Sequence, residues 1–147
     1  MVQFYLKNFN ELNLLELHDL FALRSKVFVV EQDCVYLDVD GKDQQAKHIL
    51  GFESGKLVAY ARIFEKGITY SEYASIGRVV VSESHRSQNI GHQLITYSIQ
   101  CIDHDEKESS IKISAQAHLE EFYNQHGFQK VGKQYLEDGI PHIAMVI

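Results

Sequence analysis

The segment Arg86-Ser87-Gln88-Asn89-Ile90-Gly91-His92 carries the residue types and spacing best suited to holding an anion. It follows an apolar, β-branched run, residues 76–81, which predicts a buried strand. Four polar residues, 82–85, break that run. Apolar side chains then recur at Ile90, Leu94, Ile95, Ile99 and Ile102, which is helical spacing. Strand, short loop and helix start together place the unpaired N–H groups of a first helical turn at the loop. Their dipoles sum to a partial positive charge that suits phosphate. The amides of Gln88 to His92 are therefore the candidate donors. Gly91 removes a side chain where a ligand would approach the backbone, and Arg86 adds a charge-assisted donor. Two further cations, Arg62 and Arg78, lie in otherwise apolar predicted strands, where an unpaired charge is costly. Pairing with a local carboxylate such as Glu31 or Glu53 is one reading. Reception of a substrate carboxylate by the planar guanidinium fork is the other.

The loop resembles the pyrophosphate loop of the GNAT N-acetyltransferases. That loop reads Arg or Gln, two residues, Gly, any residue, then Gly or Ala. Residues 86–91 fall on those positions, with Asn89 in place of the first Gly. Asn tolerates the left-handed backbone region better than most residues, so the departure is compatible with the loop. Further along, residues 111–115 predict a strand, and 116–128 a short helix stopped by Gly127 with a strand after it. This is similar to the second half of the GNAT core, with Gln116 in the place of the family's Asn and Tyr123 in that of its Tyr. Two motifs in the right order with a helix between them are more specific than either alone. Residues 24–32, 59–62 and 137–142 resemble the ElaA-like branch in particular, so the resemblance extends over nearly the whole chain.

The resemblance implies an α+β fold of the acyl-CoA N-acyltransferase type. Its mixed, mostly antiparallel sheet has two central strands that splay apart, flanked by helices, with coenzyme A in the gap. It implies an acetyl-CoA-dependent N-acetyltransferase acting on a primary amine, which could be a small metabolite, a peptide N-terminus or a lysine. Such a transfer must hold the donor, neutralise the amine, stabilise the developing oxyanion and protonate the leaving thiolate. Arg86, Ser87, Gln88, Asn89, Ile90, Gly91 and His92 would hold the pyrophosphate. The backbone of Val79, Val80 and Val81 would pair with the pantetheine arm, one N–H polarising the acetyl carbonyl. Gln116 and Tyr123 would complete the donor site. A phenol is protonated at neutral pH, so Tyr123 is the candidate acid. The base is open. Relatives carry a Glu at the start of the strand that here begins Ser75-Ile76-Gly77. Glu31, His118 and His142 remain, directly or through water. Arg62, Arg78 and His142 are the candidate acceptor-binding residues. With that Glu missing and Asn89 in the loop, the alternative is a non-catalytic acyl-CoA-binding sensor or partner-binding module.

The elements that must position these residues follow from composition and pattern. A chain of 147 residues predicts a single domain, 1–147. The net charge of −6 argues against nucleic acid or an anionic membrane as partner. The two cysteines, Cys34 and Cys101, form no CxxC, and no signal peptide or membrane-length apolar run is present, so the expected setting is the cytoplasm. A monomer and a homodimer are both compatible. Residues 2–7 alternate as a strand. Asn13 with Glu16 suits a helix start, and that helix fades near 29–32. Asp38, Asp40, Gly41 and Asp43 lie in a polar stretch without the spacing or terminal Glu of a calcium loop. It predicts a solvated turn and no metal site. Residues 48–53 and 56–65 are strands around a Ser54-Gly55 hairpin. The helix from Ile90 ends near His104, a charged loop spans 103–110, and residues 128–135 and 140–147 flank a second hairpin at 137–139. The predicted order is β-α-β-β-β-α-β-α-β-β, an α+β arrangement.

Overall fold

The computed structural model describes residues 1–105 and 110–147. In order, the chain forms β1 (Gln3–Asn8), α1 (Leu14–Arg24), β2 (Lys47–Glu53), β3 (Lys56–Phe64), β4 (Ser75–Val81), α2 (Ile90–Asp105), β5 (Lys112–Gln116), α3 (Glu120–Asn124), β6 (Gln129–Glu137) and β7 (Ile140–Val146). That is the predicted order. Asn13 starts α1 with a reciprocal cap: its Oδ1 accepts from the Glu16 N–H at 2.8 Å, and its own N–H donates to Glu16 Oε1 at 3.0 Å. Leu20 and Leu23 of α1, with Val27, pack on Leu50, Leu57, Tyr60 and Val80. On the other face of the sheet, α2 buries Ile90, Leu94, Ile95 and Ile102 against Ile49, Ala59, Ala61 and Ile76.

Two predicted boundaries move. The first helix does not fade at Val29 but widens into a π-helix, Ser25–Glu31. The Gln32 N–H donates to Val27 O at 3.2 Å and the Cys34 N–H to Val29 O at 3.1 Å, both five residues back. The apolar spacing loses its 3.6 period there because the turn is wider, not because the helix ends. At the other end, the charged stretch expected to loop from 103 continues as helix to Asp105, and its residues 106–109 lie outside the described residues.

The strands form two antiparallel sheets, β1-β2-β3-β4 and β5-β7-β6. They meet at a parallel bridge between Ala74 and Ile111. There the Ala74 N–H donates to Ser110 O at 3.1 Å and the Lys112 N–H to Ala74 O at 2.9 Å. Beyond that bridge β4 and β5 part, which is the expected splay. A bulge accompanies the parting: Tyr60 pairs with Val80 and Arg62 with Gly77, so Ala61 faces both Arg78 and Val79. Arg78 takes a left-handed φ of 48° to make it. Both predicted hairpins form on left-handed pairs, Ser54-Gly55 and Asp138-Gly139, each with φ of 51° and 77°. Among the described residues, no helix is long and apolar enough to cross a membrane.

Candidate functional site

A cleft of about 740 Å³ runs through the gap between β4 and β5. Every residue of β4 lines it, facing Ile113 to Gln116 of β5. The π-helix contributes Val27, Phe28 and Glu31, and α3 contributes Tyr123. The opening of a sheet leaves half of the backbone groups along each parted strand without a neighbour in the ladder. The cleft is thus edged by free main-chain donors and acceptors.

At one end lies the predicted anion loop. Ser87 and Asn89 both hold left-handed backbones, φ 64° and 65°. Asn89 thus adopts the left-handed turn that the departure from Gly was expected to tolerate. The Gln93 N–H is bonded to Asn89 O at 3.2 Å, so the amides of Ile90, Gly91 and His92 precede the first intrahelical bond of α2 and have no helical acceptor. A Cβ at Gly91 would meet the Phe122 ring of α3 at 3.5 Å, an ordinary van der Waals contact, so the packing of α2 on α3 does not itself demand a glycine. The His92 ring turns from the loop. It stacks near Phe122, and its Nδ1 lies 2.9 Å from His126 Nε2, leaving only the backbone of His92 to the anion site. Arg86 lies across the end of β4. Its Nε donates to Val81 O at 3.2 Å and its Nη2 to Glu31 Oε1 at 2.8 Å. Gln116 donates through Nε2 to Gln32 Oε1 at 3.1 Å, tying β5 to the end of the π-helix.

Along the cleft, the polar stretch 38–43 is not a solvated turn. Asp38 and Asp43 are buried, and with Asp40 they face three arginines. Arg24 donates through Nε to Asp38 Oδ2 at 2.9 Å and through Nη1 to Asp43 Oδ1 at 2.7 Å. Arg62 grips Asp40 with both Nη atoms at 2.9 Å and reaches Asp43 Oδ1 at 3.1 Å. Arg78 places Nε 2.9 Å from Asp38 Oδ1 and donates through Nη2 to Asp38 O at 3.1 Å. These aspartates, not Glu31 or Glu53, are the partners of Arg62 and Arg78. Glu53 instead pairs with His85. Burial alone would raise the Asp40 carboxyl, but Arg62, the Lys42 amide and Arg78 outweigh it and hold it well below the usual carboxylate range. Behind the cluster His48 is fully buried. Its Nε2–H donates to Asp43 O at 2.9 Å and its Nδ1 accepts from the Tyr60 hydroxyl at 2.7 Å, a neutral ring that burial keeps neutral.

Arg24 and the three aspartates were not among the predicted site residues. A signal existed: Leu20, Arg24 and Val27 share the buried stripe of the first helix, so a cation there needs carboxylates, and the 38–43 stretch holds three.

The remaining candidates divide by position. Tyr123 is buried between Phe122 and Phe128, whose rings meet it edge-on at 5.0 and 5.9 Å, and it lines the cleft. Burial pushes its phenol up to about 12, so it is protonated at neutral pH. Glu31 is held by Arg86 at the loop end. His118 is exposed at the cleft wall. His142 is buried in β7, with Nδ1 donating to Ile140 O at 2.7 Å and Nε2 3.3 Å from Glu137 Oε2. Loop, open strand edges and Tyr123 fit a long anionic donor whose reactive end reaches the middle of the gap.

Comparison with known proteins agrees with this geometry. Residues 22–147 match the acetyltransferase (GNAT) domain family. Protein ElaA of Escherichia coli (strain K12) is 43% identical over 147 residues, covering 99% of this chain and 95% of that protein. Its crystal structure superposes with a TM-score of 0.92 at 41% identity, covering 99% of each chain. The crystal structure of an acyl-CoA N-acyltransferase from Pseudomonas aeruginosa gives a TM-score of 0.94 at 39% identity, again covering 99% of both chains.

Proposed function

The chain belongs to the GNAT acetyltransferase family, and on that premise we propose that it moves an acetyl group from acetyl-CoA to a primary amine by direct attack on the thioester. The observation that carries this reading is the parting of β4 from β5 with an anion loop at one end and a protonated Tyr123 on the wall. The donor thioester supplies an electrophilic carbonyl carbon. The amides of residues 88–92 bind the pyrophosphate, with the dipole of α2 behind them. Arg86 exchanges Glu31 for that anion. The open edge at Val79, Val80 and Val81 pairs with the pantetheine arm, and one of its N–H groups bonds the carbonyl oxygen as it becomes negative. Gln116 closes the roof over that arm. Tyr123 gives its hydroxyl proton to the departing sulfur. Arg62 and Arg78 build the acceptor end: their charge is balanced by Asp38, Asp40 and Asp43, which favours a neutral or cationic acceptor over an acidic one.

The test is thiol release from acetyl-CoA with a panel of amines: spermidine, L-lysine and triglycine. Tyr123→Phe is expected to lower kcat by about 10²-fold or more, with acetyl-CoA affinity unchanged. Equal turnover in Tyr123→Phe and wild type contradicts the role of Tyr123, and a module that only binds acyl-CoA shows no amine-dependent thiol release in either.

A further inference from the structure

The start of β4 reads Ser75-Ile76-Gly77 and offers no carboxylate to take the acceptor's proton. Two of the carboxylates that line the cleft stand elsewhere: Asp40 is held by Arg62 and Arg78, and Glu31 lies at the anion-loop end beside Arg86. A third, Glu137, stands differently. Alternate residues of β5 point to opposite faces. Ile113 and Ala115 face the core with Tyr123. Ser114 and Gln116 face the other side. There the Ser114 Oγ is hydrogen-bonded to the Tyr135 hydroxyl and donates to Glu137 Oε1 at 3.3 Å. His142, opposite Gln116 and Tyr135 in the ladder, brings Nε2 to 3.3 Å from Glu137 Oε2. Its other nitrogen is fixed on Ile140 O. The Glu137 side chain is 49% exposed and that of His142 only 9%. A half-exposed carboxylate thus lines the cleft, braced on one side by the buried His142 and on the other by Ser114.

Other titratable groups surround it. Tyr70, from the segment between β3 and β4, faces it, and burial with the nearby Tyr135 and Glu137 raises the Tyr70 phenol. Lys112 Nζ is held over the Tyr70 and Tyr73 rings at 4.9 and 5.6 Å. Asp138 follows on the cleft wall.

We propose that Glu137 is the catalytic carboxylate that receives the acceptor's primary ammonium group and takes its proton, with Ser114 and His142 as positioning residues. This rests on the acetyl-transfer reading above. Glu137 and Tyr123 enter the same cleft from opposite faces of β5, which keeps base and acid apart across the reacting carbon. An N–H bond of the ammonium breaks and its proton passes to Glu137. The freed lone pair forms the C–N bond at the thioester carbonyl carbon, and the C–S bond breaks. The sulfur takes the Tyr123 proton, and the second nitrogen proton returns to the Tyr123 oxygen as the amide forms. One proton then leaves Glu137 for solvent per acetyl group.

Glu137→Gln keeps the shape and removes the base. Thiol release is measured against pH with the best alkylamine of the panel, and with hydroxylamine, which is weakly basic and already neutral at pH 7.5. The variant is expected to lose about 10²-fold in kcat/KM toward the alkylamine at pH 7.5. The loss shrinks as pH rises and the amine neutralises itself. Hydroxylamine turnover stays within about twofold of wild type, and the melting shift with acetyl-CoA is unchanged. His142→Gln and Ser114→Ala displace the acidic limb of the pH profile, with smaller losses. An active wild type beside an indifferent Glu137→Gln overturns this inference alone, as does equal loss toward both nucleophiles. A wild type that binds acetyl-CoA but acetylates no amine overturns the acetyl-transfer reading, and this inference with it.

Discussion

Asn89 shows how one residue can keep a motif's backbone conformation while changing its letter. The loop needs a left-handed backbone at that position, and Asn89 supplies it with φ 65°. Gly would reach the same conformation without strain. Asn89→Gly is therefore expected to leave both the melting temperature and the acetyl-CoA dissociation constant nearly unchanged. A β-branched side chain there meets the steric cost of the left-handed region, roughly 1–2 kcal/mol. Asn89→Val should lower stability by about that amount and weaken acetyl-CoA binding, both readable by thermal melts with and without the ligand. Equal behaviour of the two variants would mean that the left-handed turn does not hold the anion. The loop was legible in the sequence because its chemistry is local: strand, turn and helix start follow one another. The neighbour of Gly91 was not legible, because Phe122 comes from another helix.

At the scale of elements, the three arginines and three aspartates tie the first helix and the 38–43 stretch to β3 and β4. Removing one partner from a buried ion pair costs about 3–5 kcal/mol, since the other charge stays behind. Arg24→Ala leaves Asp38 with only Arg78 and Asp43 with only Arg62 among the arginines, and should lose up to that amount by urea denaturation. A loss under 1 kcal/mol would show that the cluster is not load-sharing. Asp40 gives the cluster a pH signature. Its folded carboxyl is held below the unfolded value, near 3.9, so it stabilises the fold above about pH 4. That contribution is lost as pH falls through the lower folded value. Asp40→Asn should accordingly flatten the acid side of the stability curve. The element order was legible because strand alternation, helical spacing, the Asn13 cap and two Gly-containing hairpins are all local signals. The π-helix was not, since a wider turn erases the 3.6 period that marks a helix. The aspartate cluster was legible only as a demand: Arg24 on a buried stripe asks for carboxylates, but solvated turns and buried counter-charges have the same composition, and only tertiary packing shows which stretch supplies them.

Over the whole molecule, the decisive feature is a sheet that divides. β4 and β5 share one bridge at Ala74 and Ile111 and then separate around a cleft that takes residues from both sheets, the π-helix and α3. No periodicity encodes that separation; the resemblance of the two motifs implied it, and the bulge at Arg78 is its physical mark. If the cleft is a donor site, a ligand filling it must bridge both sheets and stabilise them together. The most direct measurement is a thermal melt with and without saturating acetyl-CoA. Ligand at about 100 times its dissociation constant adds roughly 2.7 kcal/mol to the folded state, which for a chain of this size raises the midpoint by about 5–10 °C. A shift of that size is the predicted result. An unchanged midpoint at millimolar acetyl-CoA would contradict the donor site, and the transfer chemistry built on it.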